Sequence, residues 1–426
     1  MREMKDSGIE WIGQIPKEWK IQHLKYICSL KVGGTPKNKE GINNNGYGYP
    51  WITAQDIDEN MTINSSKQFI CEESIKKSGY TLFPTGSVLL VCIASVGKVG
   101  IIEKKAYANQ QITALIPKSN RMHSKYLLYI INAASFKIVF DASSNVVPIV
   151  NTKYLQNFNI VSPNINEQKK IADFLDKKCA EIDILTSDIQ KQIDTLEQYK
   201  KSVITEAVTK GLKLDAEMKD SGVDWIGDIP SDWETIKIGR LFSIRNERNT
   251  KSMDEVQLLS LYTGIGVFPH GEQEERGNKA VTVEGYKIVH KNDIVVNIIL
   301  AWMGAIGISE YDGVTSPAYD IYVPDTRRVI PHFYHYVFRT KGIAGECYKY
   351  GRGIMLMRWR TYAQEFKQIS VPFPSIEIQQ EIAEYLDKKC SEIDTIISDK
   401  KKQLEVIAEY KKSLIYEYVT GKKEVM

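Results

Sequence analysis

The side chains best suited to chemistry in this chain lie in polar loops of its first half. Residues 33–57 combine glycines, amides, aromatic rings and lysine, and residues 109–111 place three amides side by side. Amide side chains match adenine through two hydrogen bonds, whereas Lys and Arg suit guanine and phosphate. These loops therefore favour contacts with base edges and with the DNA backbone. The candidate residues are Thr35, Lys37, Asn44, Tyr47, Trp51, Thr53, Gln55, Lys98, Asn109, Gln110 and Gln111.

The second half of the chain offers a more basic set of the same kind. Residues 245–251 and 349–360 mix Arg and Lys with Gly, Asn and Trp. Such groups suit phosphate contacts, which position a protein on DNA, and guanine contacts, which specify sequence. Because a single surface Arg usually meets only solvent, the prediction rests on the loops as groups. The candidates here are Arg245, Arg248, Asn249, Lys349, Arg352, Arg358 and Arg360.

Patterns typical of catalysis or of metal binding are not found in the sequence. The nearest approach to a phosphate-binding P-loop has Cys92 in place of the first Gly and Val99 after Lys98. His332 and His335 stand three residues apart without a further ligand nearby in sequence. Histidines that are satisfied internally or lie on the surface are therefore favoured over a metal site. The sequence predicts no catalytic and no metal-binding residues.

The loops must be carried by larger elements, and the clearest of these is a helix over residues 166–211. Apolar side chains recur there in steps of three, four or seven, with Lys, Glu, Asp and Gln on the other faces. That spacing is typical of a helix that packs along a partner helix. No Pro or Gly interrupts the segment before Gly211, which occupies the position of a C-terminal cap.

The partner helix lies in the same chain, because the pattern returns near the C-terminus. Ile171 and Leu175 recur as Ile382 and Leu386, and the offset stays constant along the whole helix. A repeat of this length marks a duplicated domain-plus-helix unit rather than a solenoid. Two copies of one apolar stripe pair most simply with each other. We therefore expect an antiparallel coiled coil about a pseudo-two-fold axis.

A short aromatic segment, here called the clip, is also duplicated. Residues 4–19 return as residues 218–233, with both Trp residues and the Ile-Pro pair kept in place. Aromatic side chains at this density mostly bury surface, which favours a clip that closes each domain onto a helix. A contact with a partner protein is the alternative.

Between each clip and the following helix lies a block of about 140 residues, an ordinary size for one domain. The two blocks share little sequence, yet both show buried strands followed by an amphipathic helix. The expected fold class is α/β (α+β), with two mixed α/β domains separated by two long antiparallel helices. The predicted boundaries are 1–19, 20–162 and 163–212 for the first clip, domain and helix, and 213–233, 234–373 and 374–426 for the second.

The composition is that of an ordinary globular protein. The 426 residues are 43% hydrophobic and 26% charged, and the formal net charge is +3. Bulk charge therefore does not by itself indicate nucleic-acid binding. No apolar run approaches the ~20 residues that cross a bilayer, and the first residues lack the apolar core of a secretory signal. With six cysteines and no CxxC spacing, we expect a cytoplasmic protein without a disulfide framework.

The order of these parts closely resembles the specificity subunit of type I restriction–modification systems. The clips carry this resemblance with the pattern MKDSG-x-x-WIG-x-IP-x-x-W, as do the helix starts NEQKKIADFLDKK and EIQQEIAEYLDKK. The segments GGTP…PWITAQDI and IASVGKVGI…NQQITALIP of the first block add to it. The match covers essentially the whole chain. One departure is Ile378, which stands where the first copy has Glu167.

The resemblance implies a division of labour between this chain and its partners. Each variable block would be a target-recognition domain that reads one half of a bipartite site in double-stranded DNA, and the paired helices would set the unread spacer. Two methyltransferase (modification) subunits would dock on the repeats and bring S-adenosylmethionine, and motor–nuclease (restriction) subunits would bring ATP and Mg. This chain would bind no cofactor and would not be an enzyme. Two alternatives stay open, a coiled-coil scaffold without DNA readout and an enzyme with an unrecognised site.

Overall fold

The computed structural model describes residues 2–36, 41–71, 73–75, 80–142, 147–213, 215–263, 266–271, 282–353 and 359–425. Contacts divide the chain into two compact units, Met1–Ile189 with Lys402–Met426 (unit 1) and Gln190–Lys401 (unit 2). Each unit contains one clip, one variable domain and part of both long helices. Within the described ranges, no helix combines the length and apolarity that a membrane span needs.

Unit 1 is a mixed α/β structure. Its helices are Leu24–Ile27 (α1), Ser124–Asp141 (α2), Thr152–Asn157 (α3) and the first part of Ile165–Lys210 (α4). Its strands are Met4–Asp6 (β1), Gln14–Pro16 (β2), Lys20–His23 (β3), Cys28–Val32 (β4), Ile42–Asn43 (β5), Tyr49–Ile52 (β6), Thr62–Ile63 (β7), Phe69–Ile70 (β8), Val88–Val91 (β9), Val99–Ile102 (β10), Tyr107–Ala108 (β11), Ile112–Pro117 (β12) and Asn159–Ser162 (β13).

The core of the first variable domain is a five-stranded sheet in the order β4-β12-β9-β10-β7. Every residue of β9 and β10 is buried, as the continuous Val and Ile runs of the sequence predict. Helix α2 covers one face, and its Tyr126 and Leu127 join the same apolar cluster as Leu90. A second sheet, in the order β11-β6-β8-β5, carries the Gly-rich loop.

Unit 2 repeats this mixed character with different strands. Its helices are the rest of α4, Pro331–Phe338 (α5), Lys341–Tyr350 (α6), Ala363–Phe366 (α7) and the first part of Ile376–Val419 (α8), together with the 3₁₀ turns Ile238–Arg240, Met253–Glu255 and Ala301–Met303. Its strands are Met218–Asp220 (β14), Asp228–Pro230 (β15), Glu234–Lys237 (β16), Phe242–Ile244 (β17), Leu259–Tyr262 (β18), Gly266–Pro269 (β19), Lys287–Val289 (β20), Ile294–Asn297 (β21), Ile306–Ile308 (β22), Gly313–Thr315 (β23), Tyr319–Pro324 (β24) and Ser370–Phe373 (β25). The main sheet has the order β17-β24-β21-β22.

Each variable domain begins and ends in one pair of antiparallel strands. In unit 1, β3 pairs with β13, and Lys20 lies opposite Ser162. In unit 2, β16 pairs with β25, and Glu234 lies opposite Phe373. The chain therefore enters and leaves each domain at neighbouring positions, directly before a long helix.

The two long helices pair antiparallel within each unit, which confirms the predicted fold class. Helix α4 has 46 residues and α8 has 44. In unit 1, the ring of Phe174 lies 4.5 Å from that of Tyr418, and Lys411 bonds Asp183 at 2.6 Å. In unit 2, Lys200 bonds Asp394 at 2.6 Å and Lys400 bonds Gln192 at 2.6 Å. In both units the residue numbers rise along one helix as they fall along the other.

Both clips pack against the end of a long helix. Trp19 is 1% exposed in unit 1 and Trp233 is 2% exposed in unit 2. Gly211 ends α4 with φ +76°, and a Cβ there would lie 3.3 Å from Cζ2 of Trp233. Gly421 follows α8 in the same way, with φ +74°, and a Cβ there would lie 2.4 Å from Cδ of Pro16. A glycine is needed at both positions because the backbone is left-handed and the clip is close.

Candidate nucleic-acid interface

Three segments that are distant in the sequence meet at one edge of the first variable domain. The backbone N–H of Gly33 donates to the carbonyl of Ile112, and that of Gly34 donates to Ala108, both at 2.9 Å. Asn109 N–H donates to the Ile52 carbonyl at 2.9 Å. A Cβ on Gly33 would lie 2.2 Å from the Asn109 carbonyl oxygen, so only glycine permits this approach. The Gly-rich loop, strand β6 and the amide turn thus form one structure.

Five of the predicted unit 1 contacts have exposed side chains. The tip of the Gly-rich loop is held by an amide of Asn43, which donates to the Tyr47 carbonyl at 2.9 Å, and Tyr47 itself is 72% exposed. Lys98 reaches towards this loop, with Nζ 3.4 Å from the Ala54 carbonyl. The exposed candidates are Asn44, Tyr47, Gln55, Lys98 and Gln110.

The amide turn uses two of its three amides internally. Asn109 Nδ2 donates to Gln111 Oε1 at 2.9 Å, and Asn109 Oδ1 accepts the Gln111 N–H at 3.1 Å. Both residues are half-buried, whereas Gln110 between them is exposed. The turn therefore presents a single amide, Gln110, on a backbone that its neighbours hold in place.

Three further predictions in unit 1 have different outcomes. Trp51 is 4% exposed, packs with Ile70 and Tyr107, and donates from Nε1 to the Gly34 carbonyl at 3.3 Å. The indole is part of the core, and the contact of Trp51 with a base stays a prediction. Thr53 is half-buried and its hydroxyl donates to Asp56 at 2.8 Å, which stabilises the turn after β6. Thr35 is half-buried.

A cavity of about 670 Å³ opens in unit 1 beside Gln55 and Lys98. Asp58 and Glu59 line it together with Lys411 and Lys412 of α8. Because acidic and basic side chains both line the cavity, its net charge does not favour binding of a phosphate group. The exposed loop side chains are therefore better placed for DNA than this cavity.

In unit 2, Arg245 is held by carboxylates of its own domain. Its guanidinium donates to both Asp293 oxygens, at 2.9 and 3.1 Å, and to Glu247 at 2.7 Å. The hydrogen bond with Asp293 raises the pKa of Arg245 above its ordinary value. A side chain already in a bidentate pair has little capacity for a phosphate. Arg245 therefore belongs to a structural ion pair, and its contact with DNA stays a prediction.

Asn249 and Arg248 differ in their exposure and in how many of their polar atoms are bonded within the domain. Asn249 is 3% exposed and its amide donates to the carbonyls of Lys251 and Val283, at 2.9 and 3.0 Å. Asn249 therefore stabilises the loop from inside, and its contact with DNA stays a prediction. Arg248 is exposed, and within the described ranges its side chain makes one hydrogen bond, to the Gly285 carbonyl at 3.1 Å. Its other guanidinium donors have no bond to the described part of the chain.

The basic segment after α6 is organised around a tryptophan. Trp359 stacks on Tyr348 with ring centroids 5.1 Å apart, and Arg352 and Arg360 pair through their backbones. Arg352 forms an ion pair with Glu365, and Lys349 lies 3.6 Å from Glu346. Arg360 is half-buried. The predicted residues Lys37 and Arg358 lie outside the described residues.

The described ranges contain few groups that could bind a metal ion or act as a nucleophile. They contain no group of three or more His, Cys, Asp or Glu that could hold a metal ion, and all six cysteines are free thiols. His332 Nε2 lies 3.1 Å from Glu310. His335 bonds Arg339 at 3.0 Å, and burial lowers its pKa to about 3. The two histidines therefore have separate partners within the fold.

Two polar residues at the start of α4, Glu167 and Gln168, were not predicted to have a role. Glu167 binds Arg2 of the clip. In the second copy, Ile378 occupies the position of Glu167, and Ala216 occupies the position of Arg2. The second copy therefore has two apolar side chains where the first has an ion pair. Gln168, the next residue, is buried and hydrogen-bonded to the variable domain. The signal that could have identified it was its recurrence as Gln379.

Comparison with known proteins gives one consistent result. The family described as type I restriction modification DNA specificity domain matches residues 16–195 and again residues 230–406. A putative type I restriction enzyme MjaX specificity subunit of Methanocaldococcus jannaschii is 29% identical, over 97% of this chain and 96% of that protein. The EcoR124I/EcoR124II specificity subunit of Escherichia coli is 31% identical, over 50% of this chain and 47% of that protein.

Solved structures agree in fold. A chain from a study of complex assembly and conformational transition of the type I R-M system superposes with a TM-score of 0.70, at 12% identity, over 96% of this chain and 99% of that one. The HsdS subunit of Thermoanaerobacter tengcongensis gives a TM-score of 0.53, also at 12% identity, over 96% and 98%. With two matched copies that together span most of its length, the chain belongs to the type I restriction modification DNA specificity domain family.

Proposed function

We propose that this chain is the DNA sequence-specificity subunit of a type I restriction–modification enzyme and has no catalytic step of its own. The observation that carries the proposal is the duplication of the family domain. Each copy has its own core and its own set of exposed polar loops. A protein with two such readers on one chain suits a DNA site made of two separate halves.

Each variable domain reads one half-site in this proposal. In unit 1 the readers are the exposed amides Asn44, Gln55 and Gln110, with Tyr47 beside them and Lys98 for phosphate. In unit 2 Arg248 is the best-placed cation, because Arg245 is already paired. Amides and guanidinium groups in such positions hydrogen-bond base edges in the major groove.

The long helices set the distance between the half-sites and hold the partner subunits. Both helices have many exposed charged residues outside their seam, which suits contacts with other proteins. Two methyltransferase subunits bind these repeats and contribute S-adenosylmethionine. Methylation of adenine within a duplex requires the base to be flipped out, and that pocket belongs to the methyltransferase. Motor–nuclease subunits contribute ATP and Mg.

The test is co-expression of this chain with its methyltransferase, followed by sequencing of the host DNA for methylated adenine. The expected result is one bipartite motif with a modified adenine in each half and a fixed gap. Expression of the methyltransferase alone is the matched control and should give no such motif. An active complex that methylates DNA without a split motif would favour the scaffold alternative.

A further inference from the structure

One buried glutamine joins the variable domain of unit 1 to its long helix. Gln168, near the start of α4, is 1% exposed. Its amide nitrogen donates to the carbonyls of Arg121 and Pro163, at 3.1 and 3.0 Å, and its oxygen accepts the His123 N–H at 2.9 Å. Arg121 and His123 directly precede helix α2. Gln168 therefore ties the entry of a domain helix to the start of α4.

Unit 2 repeats this arrangement with different neighbours. Gln379 is fully buried. Its amide donates to the carbonyls of Arg328 and Pro374, at 3.1 and 3.0 Å, and its oxygen accepts the Ile330 N–H at 2.9 Å. The three partners hold the same positions relative to α5 and α8 that the unit 1 partners hold relative to α2 and α4.

A tyrosine–aspartate bond recurs farther along each helix. Tyr129 of α2 donates to Asp176 of α4 at 2.9 Å, and Tyr336 of α5 donates to Asp387 of α8 at 2.6 Å. Burial raises the pKa of both phenols above their ordinary value, which keeps the hydroxyls protonated as donors. The two aspartates belong to the LD pairs of the repeated helix motif. We call the Gln and Tyr–Asp bonds of each unit its mount.

The mount recurs in both units although the sequences of the two variable domains differ. The residues that attach each domain to its helix are therefore distinct from the residues that would read DNA. The two variable domains share little sequence, yet each makes the same three hydrogen bonds to its long helix. Apolar packing tolerates some sliding of one surface on another, whereas hydrogen bonds fix direction and distance. Buried groups of this kind are also costly to leave unpaired. The mount therefore restricts the angle between each domain and its helix.

We propose that Gln168 with Tyr129–Asp176, and Gln379 with Tyr336–Asp387, are positioning residues that determine how strictly the spacer length between the half-sites is enforced. This inference rests on the proposed function. Each added base pair moves a half-site by roughly 3.4 Å and rotates it by about 35°. A domain held at one angle cannot follow that change, whereas a domain on a loosened mount can. Spacer strictness is thus a property of the mount and not of the loops that read bases.

The experiment uses the full chain in complex with its methyltransferase and compares methylation rates on DNA with the native spacer and with spacers one base pair shorter or longer. The variants are Tyr129→Phe and Tyr336→Phe, each of which removes one hydroxyl and keeps the ring. We expect the rate on altered spacers, relative to the native spacer, to rise about tenfold. That factor corresponds to ~1.4 kcal/mol, close to one net hydrogen bond.

A matched control is Tyr154→Phe, which removes a tyrosine–aspartate bond of 2.8 Å, to Asp141, that lies wholly within the first variable domain. Its spacer profile should equal that of the wild type. Gln168→Glu is a stronger variant, because a carboxylate accepts the His123 N–H but cannot donate to the two carbonyls. If this variant folds poorly, the Phe variants still decide the question.

The outcomes separate the two proposals. A wild-type complex with a split motif, together with Phe variants that lose rate equally at all spacings or keep the wild-type profile, overturns the mount and leaves the proposed function intact. If Tyr154→Phe raises the rate on altered spacers as much as the other Phe variants do, the proposed role of the mount is also overturned. The cause would then be a general loss of rigidity in the domain. A wild-type complex without a split motif overturns both.

Discussion

At the scale of single residues, the candidates differ in whether their polar atoms are already used inside the protein. Gln110 is exposed, whereas Asn109 and Gln111 on either side bond each other. Among the residues that the structure describes, the Arg248 side chain bonds only the Gly285 carbonyl, whereas Arg245 is held by Asp293. A side chain with free donors can contact DNA without breaking a bond in the fold, so Gln110 and Arg248 are the stronger candidates.

Replacing Gln110 by Ala should weaken binding of the first half-site by about 1–3 kcal/mol, the value of a bidentate amide–base contact. Replacing Lys98 by Ala should weaken binding to all sequences alike and lower the salt dependence by about one phosphate contact. Both effects are measurable by titrating the methyltransferase complex with labelled DNA at several salt concentrations.

Gln198→Ala is the matched control for these two variants, because Gln198 is an exposed amide on helix α4. It should bind like the wild type. Equal losses for Gln110→Ala on cognate and on mutated first half-sites would contradict base readout by this residue.

A second residue-scale prediction concerns pH. Burial lowers the pKa of His335 to about 3, from the ordinary value near 6.5, and the Arg339 charge adds to the effect. The unfolded chain therefore binds a proton between these two pH values that the folded chain does not. Stability is fully present above about pH 6.5 and falls as the pH decreases towards 3, by at most about 1.4 kcal/mol per pH unit.

His335→Gln removes this titration while keeping a polar side chain next to Arg339. Urea unfolding of both proteins between pH 7 and pH 5 should show a steeper loss for the wild type. Parallel curves for the two proteins would show that the protonation of His335 is not coupled to folding.

At the scale of elements, small residues mark where elements approach each other. Helix α6 contains two glycines in different surroundings. A Cβ on Gly342 would lie 2.1 Å from Cε3 of Trp225 in the clip, whereas a Cβ on Gly345 would meet no atom of the described residues within 4 Å. Gly342 is therefore needed for contact between clip and helix, and Gly345 is not.

Gly345→Ala should stabilise the protein by about 0.5–1 kcal/mol, because alanine loses less backbone entropy in a helix. Gly342→Ala should destabilise it by about 1–3 kcal/mol through overpacking. Chemical denaturation of the two variants beside the wild type measures both. A stabilising effect of Gly342→Ala would mean that Trp225 can move away at no cost.

The helix starts show how the two copies diverged without losing their register. Arg2 and Glu167 form an ion pair in unit 1, where unit 2 has Ala216 and Ile378. Both positions differ between the copies, and a lone charge against Ile378 would be unpaired. The departure of Ile378 from the first copy is therefore a local exchange of one contact.

At the scale of the whole molecule, each unit combines one variable domain with the mount that joins this domain to its long helix. The first and last residues of each variable domain lie opposite each other in a strand pair. A domain with closed ends can be replaced as a block, because the flanking chain need not move.

Exchange of residues 20–162 for the corresponding block of a relative should change one half of the methylated motif and leave the other half and the gap unaltered. Exchange of residues 234–373 should change the other half. Methylation sequencing of both exchanges is the measurement, and a change in both halves from a single exchange would contradict independent readers.

The sequence by itself determined the duplication, the two long helices and their pairing. Each of these depends on spacing along the chain, as in the recurrence of Ile171 at Ile382, and helical periodicity is a local property. The mixed α/β character of the domains followed from the buried runs around β9 and β21 in the same way. The family resemblance rested on these same local motifs.

Only the tertiary structure decided which polar side chains remain available for DNA. Several candidates bond groups of the fold that are distant in sequence. Trp51 bonds Gly34, Arg245 bonds Asp293, and Asn249 bonds Val283. The mount also stayed hidden, because Gln168 bonds backbone atoms near His123, and backbone groups carry no mark in the sequence. Periodicity predicts which face is buried, but hydrogen-bond partners are set by the packing of remote segments.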